Sequence, residues 1–141
     1  MTTSVYELAP VTTHYRITAN AGDPLDLLIP ILDRDGDPVR ITPGEVPLWS
    51  ASAQVRRNVI ACEVLHEWRT DGAAPNAEIV PGDPAKVRLL ASASETAAWQ
   101  DWPDYTVGWD LEVTGPPVPL GPGGPHRIAS ALMRVNPRYT R

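Results

Sequence analysis

Three aspartates at alternate positions, Asp33, Asp35 and Asp37, form the densest group of possible ligands in the sequence. Calcium loops of the EF-hand type want acids at positions 1, 3 and 5, glycine at 6 and glutamate at 12. Here Gly36 stands at position 4 and Gly44 at position 12. A tight turn accounts for the triplet more simply, because aspartates hydrogen-bond their own backbone in turns. His66-Glu67 has the first two residues of a zinc-protease helix motif, but the second histidine would fall on Thr70 and the segment reads as strand. His14, His66 and His126 lie far apart in the sequence. No metal is expected.

Nucleophilic chemistry fares no better. Cys62 and His66 would share a strand face, yet sit roughly 13 Å apart along it, too far for a thiolate pair. Cys62 reads as a small buried side chain. There is no Gly-Xaa-Ser-Xaa-Gly elbow, phosphate loop or dinucleotide fingerprint. Asp101 with Asp104, or Asp110 with Glu112, could imitate a glycosidase pair. Strand alternation makes the latter two a solvated face instead. No enzyme activity and no cofactor are therefore expected.

Tryptophan is the more informative excess, with five residues against no phenylalanine. Trp49, Trp68 and Trp109 fall on strand faces and read as core. Trp99 and Trp102 flank a turn, where partial exposure is expected. Exposed tryptophans stack on sugars or anchor protein interfaces. The plainer alternative is that they pack a helical turn over a sheet end.

These residues sit in a chain built for strands. Sixteen prolines, about one in nine residues, exclude long helices. Between them lie short runs rich in β-branched and aromatic residues, bounded by Gly, Pro and Asp. Thr13 to Thr18 is the first predicted strand. Leu25 to Asp33 is the clearest buried one, although Pro30 inside it argues for an edge or a bulge. Arg34 to Asp37 reads as a tight turn whose Asp-Gly pair suits type I′, returning along Val39 to Thr42. Leu48 to Arg57 alternates cleanly, with Trp49, Ala51, Ala53 and Val55 on one face. In Val59 to Arg69, Ile60, Cys62, Val64, His66 and Trp68 share a face. Ala77 to Val80, Lys86 to Ala91, Tyr105 to Val113 and His126 to Val135 complete the set. Ser92 with Glu95 matches a capping box and predicts one helical turn to Trp99. Gly115 to Pro125 holds five prolines and four glycines and reads as an exposed loop. About eight strands and one helical turn predict an all-β, two-sheet antiparallel sandwich, with a small barrel as the rival.

At 141 residues the chain fits one domain: an N-terminal arm over 1–12 and a single β-sandwich over 13–141. One cysteine permits no internal disulfide. A net charge of −5 argues against a nucleic-acid partner and against attraction to an anionic membrane. No apolar run approaches a membrane span, so membrane insertion is not expected. The Met1–Ser4 opening lacks the basic flank and apolar core of a signal peptide.

Several motifs also follow one another in a telling order. Tyr15 to Val39 holds Gly22-Asp23, the alternating run Leu25 to Leu32, and Asp35-Gly36. Ser50 to Arg57 ends on a basic residue. Val87 to Ala91 leads to Glu95-Thr96 with Trp99, then to the Tyr-initiated strand Tyr105 to Val113. Met133 to Arg141 closes on Thr-Arg. This order, over most of residues 13–141, resembles small phage tail-tip and baseplate proteins, in particular the immunoglobulin-like N-terminal domain of phage baseplate upper proteins. The Pro-Gly loop from Gly115 to Pro125 departs from the simple hairpin of that pattern.

The resemblance implies an immunoglobulin-like fold and a non-enzymatic role in the virion of a tailed phage. The expected role is a tail-tip or baseplate (minor tail) adaptor, made in the bacterial host cytoplasm. Its expected partners are other virion proteins and copies of itself in a symmetric homo-oligomer. A capsid decoration protein and a carbohydrate-binding module for host recognition are the alternatives. Segments unable to fold alone often order against a partner. Tyr6, Leu8, Pro116, Pro117, Val118 and Leu120, with Trp99 and Trp102, are therefore the expected contact residues.

Overall fold

The computed structural model describes residues 13–33, 35–57, 63–116 and 125–137. Eight strands are present: β1 (Thr13–Asn20), β2 (Leu25–Pro30), β3 (Ser50–Arg56), β4 (Val64–Arg69), β5 (Ala77–Val80), β6 (Lys86–Ala91), β7 (Thr106–Thr114) and β8 (His126–Asn136). They form two sheets, one ordered β1-β8-β7-β3-β4 and the other β2-β6-β5. Two separate sheets make a sandwich, not a barrel. β1 runs parallel to β8, and every other pairing is antiparallel. Immunoglobulin domains set a sheet containing B-E-D against a G-F-C sheet, which variable-type domains extend with C′. Taken in chain order, β2-β6-β5 and β8-β7-β3-β4 have that arrangement, with β1 on the β8 edge. The fold is an immunoglobulin-like sandwich.

The period of two builds the core. Ala51, Ala53 and Val55 of β3 turn inward with Val107, Trp109, Leu111 and Val113 of β7. They meet Ile29, Val87, Leu89 and Ile79 from the smaller sheet. Trp68 is fully buried, and its Nε1–H donates to the carbonyl of Leu90 at 2.9 Å, tying the two sheets together. Immunoglobulin domains of antibodies place a disulfide and a tryptophan between their sheets. Here, with a single cysteine in the sequence, indole rings fill that space.

Several expectations are refined. The conflict at Pro30 resolves as an edge: β2 lies at the side of its sheet and ends at that proline. Its other face is open, with Leu28 53% exposed. The Asp35-Gly36 turn is not type I′, because only Gly36 has positive φ (85°) and Asp35 does not. Type I′ needs both. The return segment expected at Val39 to Thr42 is not a continuous strand. Leu32 bridges Pro38, and Ile41 bridges Gly82. Val39 and Ile41 are nonetheless buried. Leu48, expected in a strand, instead ends a 3-10 helix over Pro43–Leu48. Thr42 starts that turn, where both its N–H and its hydroxyl donate to Glu45 Oε1.

Two bulges override simple alternation. Ala129 pairs with Leu111 and Arg127 with Glu112, so Ile128 is the extra residue. Ile128 and Ala129 are in consequence both buried. On β4, His66 pairs with Val55 and Val64 with Arg56, leaving Leu65 over. Val64 therefore faces outward, 39% exposed, and not inward with His66 and Trp68 as strict alternation predicts. Ile60 and Cys62 lie outside the described residues, as does the arm over 1–12.

The capping box forms as expected. Ser92 Oγ accepts from the Glu95 amide at 3.1 Å, and Glu95 Oε1 accepts from the Ser92 amide at 2.9 Å. It starts α1 (Ala93–Trp99). Thr96, on the inner side of that helix, is fully buried. Its hydroxyl accepts from the Gly22 amide at 3.1 Å and donates to the Asp23 carbonyl at 2.7 Å. This side chain clips α1 to the β1–β2 turn. Thr96→Val keeps the shape but leaves both backbone groups without their partner. It is expected to cost about 1–3 kcal/mol in chemical denaturation. A loss below about 0.5 kcal/mol would show that the clip does not matter.

Candidate functional site

The outer face of the five-stranded sheet is an open surface. Register fixes its rows. One row runs Arg16, Leu132, Gly108, Arg56 and Val64 across β1, β8, β7, β3 and β4. The next runs His14, Ser130, Asp110, Gln54 and Glu67. Gly108 has no side chain, and Ser52 and Ser130 have short ones, so the centre sinks into a shallow trough of about 990 Å³. Leu132 stands beside Gly108, 56% exposed, at a position where alternation would put a polar residue.

Most polar groups here engage one another. Arg127 Nη2 lies 3.5 Å from Asp110 Oδ2. Gln54 Nε2 donates to Glu67 Oε2 at 2.8 Å, and Arg56 Nη2 donates to Gln54 Oε1 at 2.6 Å. His14 Nδ1 is in hydrogen-bond contact with Ser130 Oγ. Asp110 and Glu112 lie on this solvated face, as alternation predicts. The surface is polar with two exposed apolar side chains, Leu132 and Val64, in one row.

The smaller sheet carries a different device on its outside. Arg88 donates through Nε and Nη2 to the two oxygens of Asp26, at 2.9 and 2.7 Å, and through Nη1 to Glu78 at 3.1 Å. The guanidinium holds the Asp26 carboxyl below its ordinary value. One arginine thus laces β2, β6 and β5 across their exposed surface.

The carboxylates of Asp33, Asp35 and Asp37 gather with oxygens within 4.8 Å of one another. Asp33 Oδ1 accepts from the amides of Asp35 and Asp37 at 2.9 and 3.0 Å. That is the turn chemistry the sequence suggested.

Of the expected contact residues, Tyr6, Leu8, Pro117, Val118 and Leu120 lie outside the described residues. Pro116 is half-buried just after β7. Trp99 corrects the expectation of partial exposure. It is 3% exposed, because its ring packs against His66 and Trp68 of β4 and is covered by Trp102. Its ring sits edge-on to His66 at 5.1 Å and to Trp68 at 6.0 Å. Trp102 stacks on it at 5.1 Å, with 17° between planes, and is itself half-buried. The pair packs the helical turn over the sheet rather than presenting two flat platforms. Sequence reasoning missed Arg16, Arg56, Gly108 and Leu132 as a set. The signal was a leucine in the polar phase of one strand and a glycine at the centre of another.

Among the described residues, His66 is the titratable group drawn into the tryptophan cluster. Its ring is 4.5 Å from that of Trp68, and its buried Nε2 has no hydrogen-bond partner. Burial lowers its pKa from the ordinary 6.5, against the opposing pull of Glu95 and Glu67. The unfolded chain therefore binds the proton more readily. Stability from this group is whole above about pH 6.5 and is lost as pH falls toward the lowered native value. Urea unfolding at pH 7.5 and 5.5 should show the protein weaker at the lower pH, and His66→Phe should flatten that difference. An equal slope in the variant would assign it elsewhere.

No family model and no curated protein sequence matches this chain. Among solved structures, the second immunoglobulin domain of the mouse polymeric immunoglobulin receptor is similar, with a TM-score of 0.42 and 11% identity. The match covers 91% of this chain and 99% of that domain.

Proposed function

We propose that this protein is a non-enzymatic structural component of a tailed-phage virion, an adaptor of the tail tip or baseplate that assembles with other tail proteins. The observation that carries the reading is the order of strand and turn motifs from Tyr15 to Arg141, which resembles the immunoglobulin-like domain of phage baseplate upper proteins. The immunoglobulin-like sandwich is the fold that resemblance implies. The broad outer face of the five-stranded sheet supports a role in assembly, since it offers a surface for neighbours. On this reading the partners are other virion proteins and further copies of the chain. The place of action is the phage tail, after synthesis in the bacterial cytoplasm.

Quantitative mass spectrometry of gradient-purified particles tests the proposal. Peptides of this chain at a fixed small copy number per particle are expected. Their restriction to the soluble lysate, with none in particles, would end the virion reading. A carbohydrate-binding module would then be the next candidate. For that candidate the half-buried Trp102 is the aromatic to follow by fluorescence during a sugar titration.

A further inference from the structure

The outer face of the five-stranded sheet is electrically divided along the strands. One half bears Arg16 on β1, Arg134 on β8 and Arg56 on β3, with no carboxylate among its outward strand residues. The other half bears Asp110 and Glu112 on β7 and Glu67 on β4. Arg127 and Arg69 also lie there, 3.5 Å from Asp110 and 3.7 Å from Glu67, and they leave that half negative by one charge. In a chain of net charge −5, Arg16 and Arg134, with Arg56 hydrogen-bonded to Gln54 beside them, gather positive charge on one half-face.

We propose that two copies of the chain pair through this face, the basic half of each lying on the acidic half of the other. A two-fold axis lying in the interface and crossing the strands does this, because it reverses direction along the strands while keeping their lateral order. The same contact is then made twice, as an isologous interface requires. This rests on the reading of the protein as one that assembles, and it names the surface and the partner. The face spans five strands about 4.8 Å apart and roughly seven residues of about 3.3 Å each, or about 550 Å² in projection. A standard interface covers about 800 Å² per partner, so the pair should be weak, with a dissociation constant in the micromolar range. Leu132 and, at the β4 edge, Val64 supply the apolar contact within a polar rim. The trough between the faces holds bridging water.

Sedimentation velocity from about 1 to 200 µM tests the pairing. A concentration-dependent dimer is expected, weakened about tenfold or more between 50 and 500 mM salt. The double variant Arg16→Glu/Arg56→Glu and the double variant Asp110→Arg/Glu112→Arg should each be monomeric, since each sets like charges together. Mixed in equal amounts they should form a heterodimer, since both halves are then complementary again. Circular dichroism checks that each variant is folded, and Leu28→Arg on the opposite sheet should leave the dimer unchanged. A wild-type monomer at 200 µM would overturn the proposal. So would a dimer indifferent to the first two variants, or an inert mixture. None of these results depends on where the protein sits in a particle, so this proposal and the virion reading fail separately.

Discussion

Trp68→Ala is expected to lower the unfolding free energy by about 3–5 kcal/mol, the range for removing a large aromatic side chain from a core. For a domain of this size that is a fall of roughly 10 °C or more in Tm. Three losses combine at this residue. The ring is fully buried and lies edge-on to His66, Trp99 and Trp109, at 4.5, 6.0 and 6.3 Å. Its removal leaves a cavity under α1 that backbone movement fills only in part. It also strips the Leu90 carbonyl of the indole N–H that joins the two sheets. Trp68→Phe separates the terms. It retains much of the packing and loses the hydrogen bond, so a smaller cost of about 1–3 kcal/mol is expected. If alanine cost less than about 1 kcal/mol, Trp68 could not be the residue that holds the sandwich closed.

Gly115→Ala is the second large effect. A Cβ built at Gly115 would lie 2.5 Å from Cζ3 and 2.7 Å from Cδ2 of Trp49. Trp49 is 7% exposed and part of the core, so its ring has little room to yield. Overpacking of this kind costs about 1–3 kcal/mol. Gly108→Ala is the matched control. Its Cβ would meet only the Ala131 carbonyl, at an ordinary 3.8 Å. A change within about 0.5 kcal/mol is expected there. Thermal unfolding of the two variants side by side distinguishes a glycine required by a neighbouring ring from one that merely floors the trough. Equal effects would contradict the distinction.

Gly115 also marks how far the sequence could be read. The Pro-Gly run it opens reads as an exposed loop. β7 ends at Thr114, Gly115 and Pro116 are half-buried, and residues 117–124 lie outside the described ones. Nothing local shows that Trp49 lies on that glycine. That contact is made by register, since Ser50 pairs with Thr114. The bounds of β5 and β6 follow directly from their alternation and from flanking Pro and Gly, and the Ser92–Glu95 box fixes the start of α1. Those signals are local. The bulges at Leu65 and Ile128 are not, because an unpaired residue is defined by the partner strand. Without them Val64 and Ile128 fall on the wrong faces. Trp99 follows the same logic: its burial depends on α1 docking over β4, a tertiary fact. The candidate face was legible only in pieces. Its polar positions on β3 and β7 could be read, but the division of charge between its halves needs the strand order.

We propose that this protein belongs to the tail of a phage particle. Immunogold labelling of intact purified virions, with antibody to this chain, tests it most directly. Label concentrated at the tail tip is the predicted result. Label spread over the head would contradict the tail assignment and favour a decoration protein, and unlabelled particles with the protein free in the lysate would contradict the virion role altogether.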